Sequence, residues 1–251
     1  MISEARKIDE DFLAEGTYFC IIAAMRTGSN LLQSYLNMVP GITCLGEIFN
    51  PEFVGVDRPD ANRWIFAGFR KTDVAERDAD RVRFYNRLYV NAKPNILAFR
   101  IFDKHDKTAL EKIINNKNCK KIILKRDTLQ SYVSLEIARK TDQWFISDES
   151  DKREEKIVFD KRAFLKYEKE MEEFYSRVEA DIKRSKQEYF PVNYTELKKL
   201  DRVNAMISYL DLGYRFDKLQ EKVLRQNPEG FEEKVENYSQ LRAFLDSRGK
   251  S

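Results

Sequence analysis

Short apolar runs along the chain predict five β-strands. Four of these runs cover residues 18–24, 96–101, 121–124 and 188–194, and a weaker fifth covers 42–45. The first run, YFCIIAA, is apolar without interruption, which is typical of a strand buried on both faces of a parallel sheet. The pattern therefore indicates a sheet that is covered on both sides.

Between and after these runs, apolar residues recur at helical spacing. A helix is predicted over 30–38, directly after the first strand, and a long amphipathic helix over 164–182. Further helices are predicted over 203–210, 219–225 and 239–245. Strands that alternate with helices favour an α/β fold with a central, mostly parallel sheet flanked by helices.

Two polar segments interrupt this alternation. Residues 54–91 are rich in charge and carry aromatic residues, so we expect helices with one packed face there. Residues 141–156 are polar and acidic, which predicts a mobile surface loop. Neither a repeat nor a linker divides the sequence, so we expect a single domain over residues 1–251, with both segments as excursions on the substrate side.

The overall charge limits the classes of partner that we expect this protein to bind. The chain has 251 residues, with 45 Lys and Arg against 42 Asp and Glu, and its formal net charge is +3. An apolar content of 42% argues against a disordered chain. A charge of +3 is too small to indicate nucleic-acid binding or attraction to an anionic membrane, so any basic site must be local.

The sequence also bears on the compartment. No apolar run approaches the ~20 residues that a transmembrane helix needs. Residues 1–10 carry charges of both signs and lack the apolar stretch of a signal peptide. We therefore expect a cytoplasmic protein without a transmembrane segment.

Histidine and cysteine are scarce. The chain has one histidine, His105, and three cysteines without CxxC spacing, Cys20, Cys44 and Cys119. One histidine excludes His-rich metal sites, and an odd number of scattered cysteines is poorly suited to a disulfide framework. Cys20 and Cys119 lie in apolar runs, so we expect buried thiols, a reducing compartment and no bound metal.

The junction after the first strand carries the strongest chemical signal. Residues 24–32 read AMRTGSNLL. Backbone N–H groups converge at such a turn, the helix N-terminus adds positive potential and Arg26 adds a full charge, which together suit a phosphate or sulfate. The segment is not a Walker A loop, because no Gly lies five residues before Gly28 and no Lys-Ser/Thr pair follows it. A plain strand–helix turn, with Ser29 as the N-cap, is the alternative.

A second signal follows the strand predicted at 121–124. Arg126 ends that strand, and Ser134 lies about two helical turns later. A cation at the carboxyl end of a strand, beside a helix, is where α/β sheets bind ligands. The alternative is a surface Arg126 paired with Asp127, together with a serine on a helix face.

Together the two segments resemble the signatures of the sulfotransferases that use 3′-phosphoadenosine 5′-phosphosulfate (PAPS). In that family a strand, a basic residue, a Gly between hydroxyl residues and a helix grip the 5′-phosphosulfate, and residues 26–30 (RTGSN) match this signature. An Arg at a strand end with a Ser eight positions later holds the 3′-phosphate, and the second segment has that spacing. The resemblance implies a P-loop-like sulfotransferase fold. It assigns to the nucleotide site Arg26, Thr27, Gly28, Ser29, Asn30, Arg126 and Ser134.

Within that family the chain looks most like the bacterial carbohydrate sulfotransferases, which act on Nod factor, trehalose glycolipid or lipopolysaccharide. They share a Gly-Glu element after the first helix, seen here at 45–51 (LGEIFNP), and a basic strand, seen here at 98–102 (AFRIF). Residues 225–228 and 237–241 resemble the closing part of the family. The resemblance implies in-line transfer of a sulfuryl group from PAPS to a hydroxyl of a carbohydrate or glycolipid, without a metal.

The resemblance also suggests catalytic roles. Arg26 would stabilise charge at the oxygen that bridges phosphate and sulfate. Glu47 and His105 compete as the base for the acceptor hydroxyl, and we favour Glu47 because His105 lies in a polar stretch past a strand end. A trehalose-type enzyme would place its carboxylate at Asn50, where this chain departs from the pattern. Arg100 would steady the acceptor or the sulfuryl group, with a salt-bridged strand end as the alternative.

Two further nucleotide contacts rest on the same resemblance. Tyr194 fits the strand–helix element near the adenine, and Arg225 could reach the 3′-phosphate, with a core tyrosine and a helix C-terminal arginine as the alternatives. Two other functions stay open, a P-loop-like small-molecule kinase and a non-catalytic nucleotide-binding protein with a degenerate site. The identity of the acceptor and the formation of a homodimer are also open at this point.

Overall fold

The central sheet has the predicted α/β architecture. The computed structural model describes residues 18–55, 69–92, 96–144, 150, 152–220 and 230–249. Within these residues, five strands form one sheet in which all neighbouring strands are parallel. The strands are β1 (Tyr18–Ala23), β2 (Ile42–Cys44), β3 (Ile96–Phe102), β4 (Cys119–Lys125) and β5 (Tyr189–Asn193). Every one of them begins and ends within about two residues of the apolar run that predicted it.

Helices connect and flank the strands. They are α1 (Ser29–Met38), α2 (Val74–Ala79), α3 (Arg81–Ala92), α4 (Lys107–Asn115), α5 (Thr128–Thr141), α6 (Lys161–Arg184), α7 (Leu200–Tyr209), α8 (Tyr238–Asp246) and a 3₁₀ helix at Tyr194–Lys198. The helices predicted over 30–38, 164–182, 203–210 and 239–245 are confirmed, whereas the one over 219–225 falls mostly outside the described residues. Among the described helices, none is both long enough and apolar enough to cross a membrane.

The strand order positions the site. The order in the sheet is β2-β3-β1-β4-β5, so β2 and β3 lie to one side of the central strand β1, and β4 and β5 lie to the other side. The direction in which the chain adds strands therefore reverses between β1 and β4. In open parallel sheets, ligands bind beyond the carboxyl ends of the strands at such a point. The two loops that meet there are those that carry the two anion-binding signals of the sequence.

The side chains of β1 alternate between two apolar cores, because successive residues of a strand point to opposite faces. Tyr18, Cys20 and Ile22 face a core shared with α3, α4 and α6, and the residues between them face a core shared with α1 and α7. All six side chains of β1 are fully buried. This double burial accounts for the uninterrupted apolar run. Cys20 and Cys119 are buried free thiols, as the sequence predicts, and Cys44 is a third.

Tyr175 of α6 joins the ends of the two central strands. Its hydroxyl oxygen accepts a hydrogen bond from the backbone N–H of Ala24 at 2.9 Å, and its O–H donates to the carbonyl oxygen of Leu124 at 2.8 Å. Burial raises the pKa of this hydroxyl above its ordinary value, so it keeps the proton that it donates. One side chain thereby satisfies two buried backbone groups and fixes the spacing of the loops after β1 and β4.

Replacing Tyr175 by Phe removes this link. We expect Tyr175→Phe to lower the free energy of unfolding by about 1–3 kcal/mol, since two buried backbone groups lose their partner. Urea denaturation followed by circular dichroism measures the change. Tyr209→Phe is the matched control, because its hydroxyl bond of 3.3 Å to the Glu188 carbonyl lies in an exposed position. The control should change by less than about 0.5 kcal/mol, and equal losses in both variants would contradict the role of Tyr175.

Candidate functional site

A cavity of about 560 Å³ lies at the carboxyl ends of the central strands. Its wall is formed by the loops after β1, β2 and β4, by the end of β3 and the turn that follows it, and by parts of α5 and the 3₁₀ helix. Both anion-binding signals of the sequence line this cavity, and so do both candidate bases, Glu47 and His105. The fold therefore brings together residues that are distant in the sequence.

The junction of β1 and α1 is a tight turn with two positive-φ residues. Arg26 and Gly28 have φ angles of 65° and 92°. Thr27 between them is buried and donates its hydroxyl to the carbonyl oxygen three residues earlier at 2.8 Å, so this side chain holds the turn. The N-cap of α1 is Gly28, not Ser29, and glycine has no side chain to cover the positive end of the helix. Ser29 and Asn30 line the cavity at that end.

Gly28, Tyr194 and Arg126 are stacked at one side of the cavity. A Cβ atom at position 28 would lie 2.3 Å from Cδ2 of Tyr194, so the ring requires glycine there. The guanidinium carbon of Arg126 lies 4.4 Å from the centroid of the same ring, a cation–π contact. Nη1 of Arg126 also donates to the carbonyl oxygen of Arg26 at 3.0 Å. The stack thus fixes Arg126 against the turn after β1.

The side chain of Arg26 extends toward α5. Its Nε donates to Oγ of Ser134 at 3.1 Å, and its Nη1 donates to the carbonyl oxygen of Trp144 at 2.8 Å. Burial and the nearby charge of Arg126 lower the pKa of Arg26 to about 10, so the guanidinium stays charged at neutral pH beside a second positive charge. An anion bound next to both guanidiniums would relieve this repulsion.

Arg100 connects the anion end of the cavity with the opposite end. Its side chain is buried on β3, and Nη1 donates to Oγ of Ser29 at 3.2 Å and to the side-chain oxygen of Asn30. Its Nη2 lies 3.6 Å from Oε1 of Glu47. The guanidinium therefore lies between the start of α1 and a carboxylate, so Arg100 is both a cavity residue and part of a salt bridge.

Glu47 has three polar neighbours. In addition to Arg100, Nε2 of His105 lies 3.3 Å from its Oε2, and Nδ2 of Asn50 donates to the same oxygen at 2.8 Å. Burial on its own would raise the pKa of this carboxyl. The hydrogen bond from His105, the charge of Arg100 and the hydrogen bond from Asn50 outweigh burial, so the pKa of Glu47 lies below its ordinary value of 4.5. Glu47 is therefore an ionised carboxylate at neutral pH.

The two candidate bases are in contact, and the hydrogen bonds of His105 distinguish them. Its Nδ1 accepts a hydrogen bond from the backbone N–H of Phe102 at 3.2 Å. A backbone N–H only donates, so Nδ1 carries no proton, and in the neutral ring the proton is on Nε2. That N–H is directed at Glu47. His105 is therefore a hydrogen-bond donor to the carboxylate in this structure.

Several charged residues of the cavity wall, Glu52 and Lys104 among them, have no motif in the sequence that marks them. Three more come from separate elements. Asp103 follows β3, Arg139 lies on α5 and Lys198 ends the 3₁₀ helix. Burial raises the pKa of Asp103, although the charges of Lys104 and His105 oppose the shift. The polar stretch around His105 is the one signal that could have selected Asp103, whereas Arg139 and Lys198 are recognisable only from the fold.

Two further predictions from the sequence concern Arg225 as a nucleotide contact and the absence of a metal. Arg225 lies outside the described residues. Within the described part of the chain, no group of three or more His, Cys, Asp or Glu residues is arranged to hold a metal ion.

The fold is shared with a known class of domain. No protein-family model matches the sequence, and no curated protein matches it. The chain is similar to the sulfotransferase domain of the olefin synthase of Synechococcus PCC 7002, with a TM-score of 0.50, 16% sequence identity and coverage of 90% of this chain and 84% of that one. It is also similar to a sulfotransferase from Alicyclobacillus acidocaldarius, with a TM-score of 0.42, 14% identity and coverage of 93% and 92%. The first similarity shows that the chain has the fold of a sulfotransferase domain.

Gly28 allows a matched test of the stack with Tyr194. Gly28→Ala places a methyl group against the ring at a φ of 92°, whereas Gly213→Ala meets a φ of 59° with no atom within 4 Å. Both variants should lose about 1–2 kcal/mol to the left-handed backbone, and overpacking should add about 1–3 kcal/mol for Gly28→Ala. Chemical denaturation measures both losses. Equal losses would contradict a close contact between Gly28 and Tyr194.

Proposed function

We propose that the chain is a sulfotransferase that transfers a sulfuryl group from PAPS to a hydroxyl group of a carbohydrate or glycolipid acceptor. The main support for this proposal is that one cavity is lined by the turn at 26–30, by Arg126 and Ser134, and by the ionised Glu47. The likeness to the sulfotransferase domain of the Synechococcus olefin synthase supports the sulfotransferase activity in this proposal, without bearing on the donor or the acceptor.

The anion end of the cavity is suited to a nucleotide with two separate anionic groups. The turn at 26–30 offers the helix N-terminus and Arg26 to the 5′-phosphosulfate, and Arg126 and Ser134 are suited to the 3′-phosphate. Burial lowers the pKa of Arg26, and the charge of Arg126 adds to the shift, so two positive charges lie close together at a position that fits a polyanion. When bound, PAPS supplies a sulfuryl group that is activated by its bond to phosphate.

Glu47 is the residue that we assign as the base. It takes the proton of the acceptor hydroxyl while the acceptor oxygen forms its bond to sulfur. The bond from sulfur to the phosphate oxygen breaks, and its electron pair stays on 3′-phosphoadenosine 5′-phosphate, which leaves. Arg26 and Arg100 stabilise the negative charge on the transferring and leaving oxygens. A carboxylate of low pKa is a weak base, but the hydroxyl becomes more acidic as its oxygen bonds to sulfur.

His105 has a supporting role in this scheme. Its Nε2–H is directed at Oε2 of Glu47, and its Nδ1 is engaged by the backbone N–H of Phe102. The ring therefore orients the carboxylate. Asn50 also orients the carboxylate, since its side-chain N–H donates to the same oxygen. The residue that departs from the trehalose-type pattern thus assists the carboxylate of Glu47.

The acceptor class is supported by the remaining wall of the cavity. Trp144 is 45% exposed and lines the cavity, and Phe53 provides a second aromatic ring. Aromatic faces pack against the apolar faces of sugar rings, and carboxylates accept hydrogen bonds from sugar hydroxyls. Asp103 and Glu52 supply such carboxyl groups in the same wall.

Nucleotide binding tests the donor assignment. Thermal-shift titration should show stabilisation by 3′-phosphoadenosine 5′-phosphate and little by ATP with Mg²⁺. Arg126→Ala should weaken binding of the first nucleotide by at least ~10-fold through the loss of a charge-assisted contact. The exposed Arg162 provides the control Arg162→Ala, which should leave the affinity unchanged. Equal stabilisation by ATP would favour a kinase, and unchanged affinity in Arg126→Ala would remove Arg126 from the site.

Sulfuryl transfer tests Glu47. A screen with ³⁵S-labelled PAPS against glycolipids, oligosaccharides and small alcohols identifies the acceptor. Glu47→Gln should then lower kcat by at least ~100-fold, since a general base contributes about that much, while binding of 3′-phosphoadenosine 5′-phosphate persists. Nucleotide binding without transfer to any acceptor by the wild-type protein would favour the non-catalytic alternative.

The pH dependence of the same reaction has a defined sign. Glu47 accepts a proton only as a carboxylate, so the rate falls as the pH falls through its pKa. Because that pKa is lowered, the acidic limb of kcat/KM should lie below pH 4.5. An acidic limb near pH 6.5, the ordinary pKa of about 6.5 for imidazole, would instead identify His105 as the base.

A further inference from the structure

The loops that carry Glu47 and His105 are irregular, yet they hold the two side chains in contact. Glu47 belongs to the loop after β2, and His105 belongs to the turn after β3. Besides the contact of His105 with Glu47, one backbone hydrogen bond joins the two loops, from the N–H of Asp106 to the carbonyl oxygen of Phe49 at 3.3 Å. These two contacts alone do not fix the orientation of two loops, and a buried or partly buried arginine holds each loop separately.

Arg77 of α2 holds the first loop. Its side chain is 1% exposed, and Nη1 donates to the carbonyl oxygens of Ile48, Asn50 and Phe53 at 3.0, 2.7 and 3.3 Å. Its Nε donates to the carboxylate of Asp78 at 2.8 Å. A buried guanidinium is strongly unfavourable unless its hydrogen bonds are made. The loop is therefore tied to one backbone conformation around this side chain.

Arg81, at the start of α3, holds the second loop. Its Nε donates to one carboxylate oxygen of Asp106, and the other oxygen accepts the backbone N–H of Ala109 at 3.1 Å and so caps α4. Its Nη1 donates to the carbonyl oxygen of Asp78 at 2.9 Å. Asp106 directly follows His105, so this ion pair fixes the turn that carries the imidazole.

A short path leads from Arg77 to the carboxylate of Glu47. Asn50 gives its carbonyl oxygen to Arg77, and its side-chain N–H donates to Oε2 of Glu47. The backbone N–H of Gly55 donates to the carbonyl oxygen of Glu47 at 3.0 Å, which closes the same loop. A shift of this loop therefore moves both the carboxylate and a donor that orients it.

We propose that Arg77 and Arg81 are positioning residues that clamp the Glu47–His105 pair, one through Asn50 and the other through Asp106. Arg77 lies on α2 and Arg81 on the neighbouring helix α3, and both bind Asp78. The two loops are therefore held by the same pair of helices. The clamp as such concerns only the positions of the Glu47 and His105 side chains. Its effect on turnover rests on the proposed function.

The single histidine of the chain gives the clamp a direct spectroscopic readout. In protein labelled with ¹⁵N-histidine at about pH 8, where an ordinary imidazole is neutral, the wild type should show a protonated Nε2 and an unprotonated Nδ1. Arg77→Lys gives a shorter side chain with one nitrogen, which cannot bind Asp78 and all three carbonyls at the same time. Arg81→Gln removes the ion pair with Asp106. Both variants should draw the two ¹⁵N resonances toward each other, since a loosened ring exchanges between tautomers.

Two conservative variants complete the test. Arg81→Lys restores a positive charge opposite Asp106 and should return the resonances toward those of the wild type. Arg83→Lys changes an exposed arginine of α3 and should leave them unchanged. Folded Arg77→Lys and Arg81→Gln proteins with wild-type imidazole resonances would overturn the proposal. If Arg77→Lys does not fold, Arg81→Gln decides the question, because the Arg81 side chain is 35% exposed and lies outside the apolar core.

Turnover measurements keep the clamp and the proposed function apart. With ³⁵S-labelled PAPS and an acceptor found by the screen, both variants should lower kcat by about 10- to 100-fold, the usual cost of a small misplacement. The dissociation constant of 3′-phosphoadenosine 5′-phosphate should stay within about twofold of the wild-type value. If the wild-type protein shows no transfer, the proposed function fails while the imidazole resonances still decide the clamp. Wild-type turnover in both variants would refute their positioning role.

Discussion

Arg100 buries a full positive charge between the two ends of the cavity. A buried guanidinium is stable only where hydrogen bonds and an opposite charge compensate for the hydration that it loses. Ser29 and Asn30 accept its hydrogen bonds on one side, and Glu47 supplies the carboxylate on the other. The position of α1 therefore helps to set the position of Glu47, although the two belong to separate elements. The remaining contacts of Glu47, with His105 and Asn50, are arranged around this ion pair.

The ionised groups give the two ends of the cavity different charges. Arg26 stays positive despite the lowering of its pKa by burial and by Arg126, and Glu47 stays negative because its hydrogen bonds and Arg100 outweigh burial. One end of the cavity is thus positive and the other carries a carboxylate. In a partly enclosed site such charges act more strongly than they would in water. Such an arrangement of charges is suited to a ligand with an anionic part and a hydroxyl-bearing part.

The sequence was sufficient to predict the five strands, because an apolar run marks each of them, and it marked the turn after β1 by a basic residue two positions before a glycine. It did not mark the helix α4. It was not sufficient to predict that Glu47 and His105 meet. Their contact depends on the parallel pairing of β2 with β3, which leads both strands to the same edge of the sheet, and no local pattern encodes that pairing. Arg77 is harder still to predict, since its partners in the loop after β2 are backbone carbonyls, which every sequence contains.

The parallel sheet also has a consequence for how the protein folds during synthesis. Tyr18 of β1 pairs with Leu97 and with Cys119, so the central strand finds its neighbours only across long stretches of chain. Closing such loops is entropically unfavourable until the pairing forms, which makes sheets of this kind slow to fold. The cavity wall runs from Met25 to Lys198. During synthesis on the ribosome, the cavity therefore cannot be complete until Lys198 has emerged, and a ligand that needs the whole wall can bind only after that point.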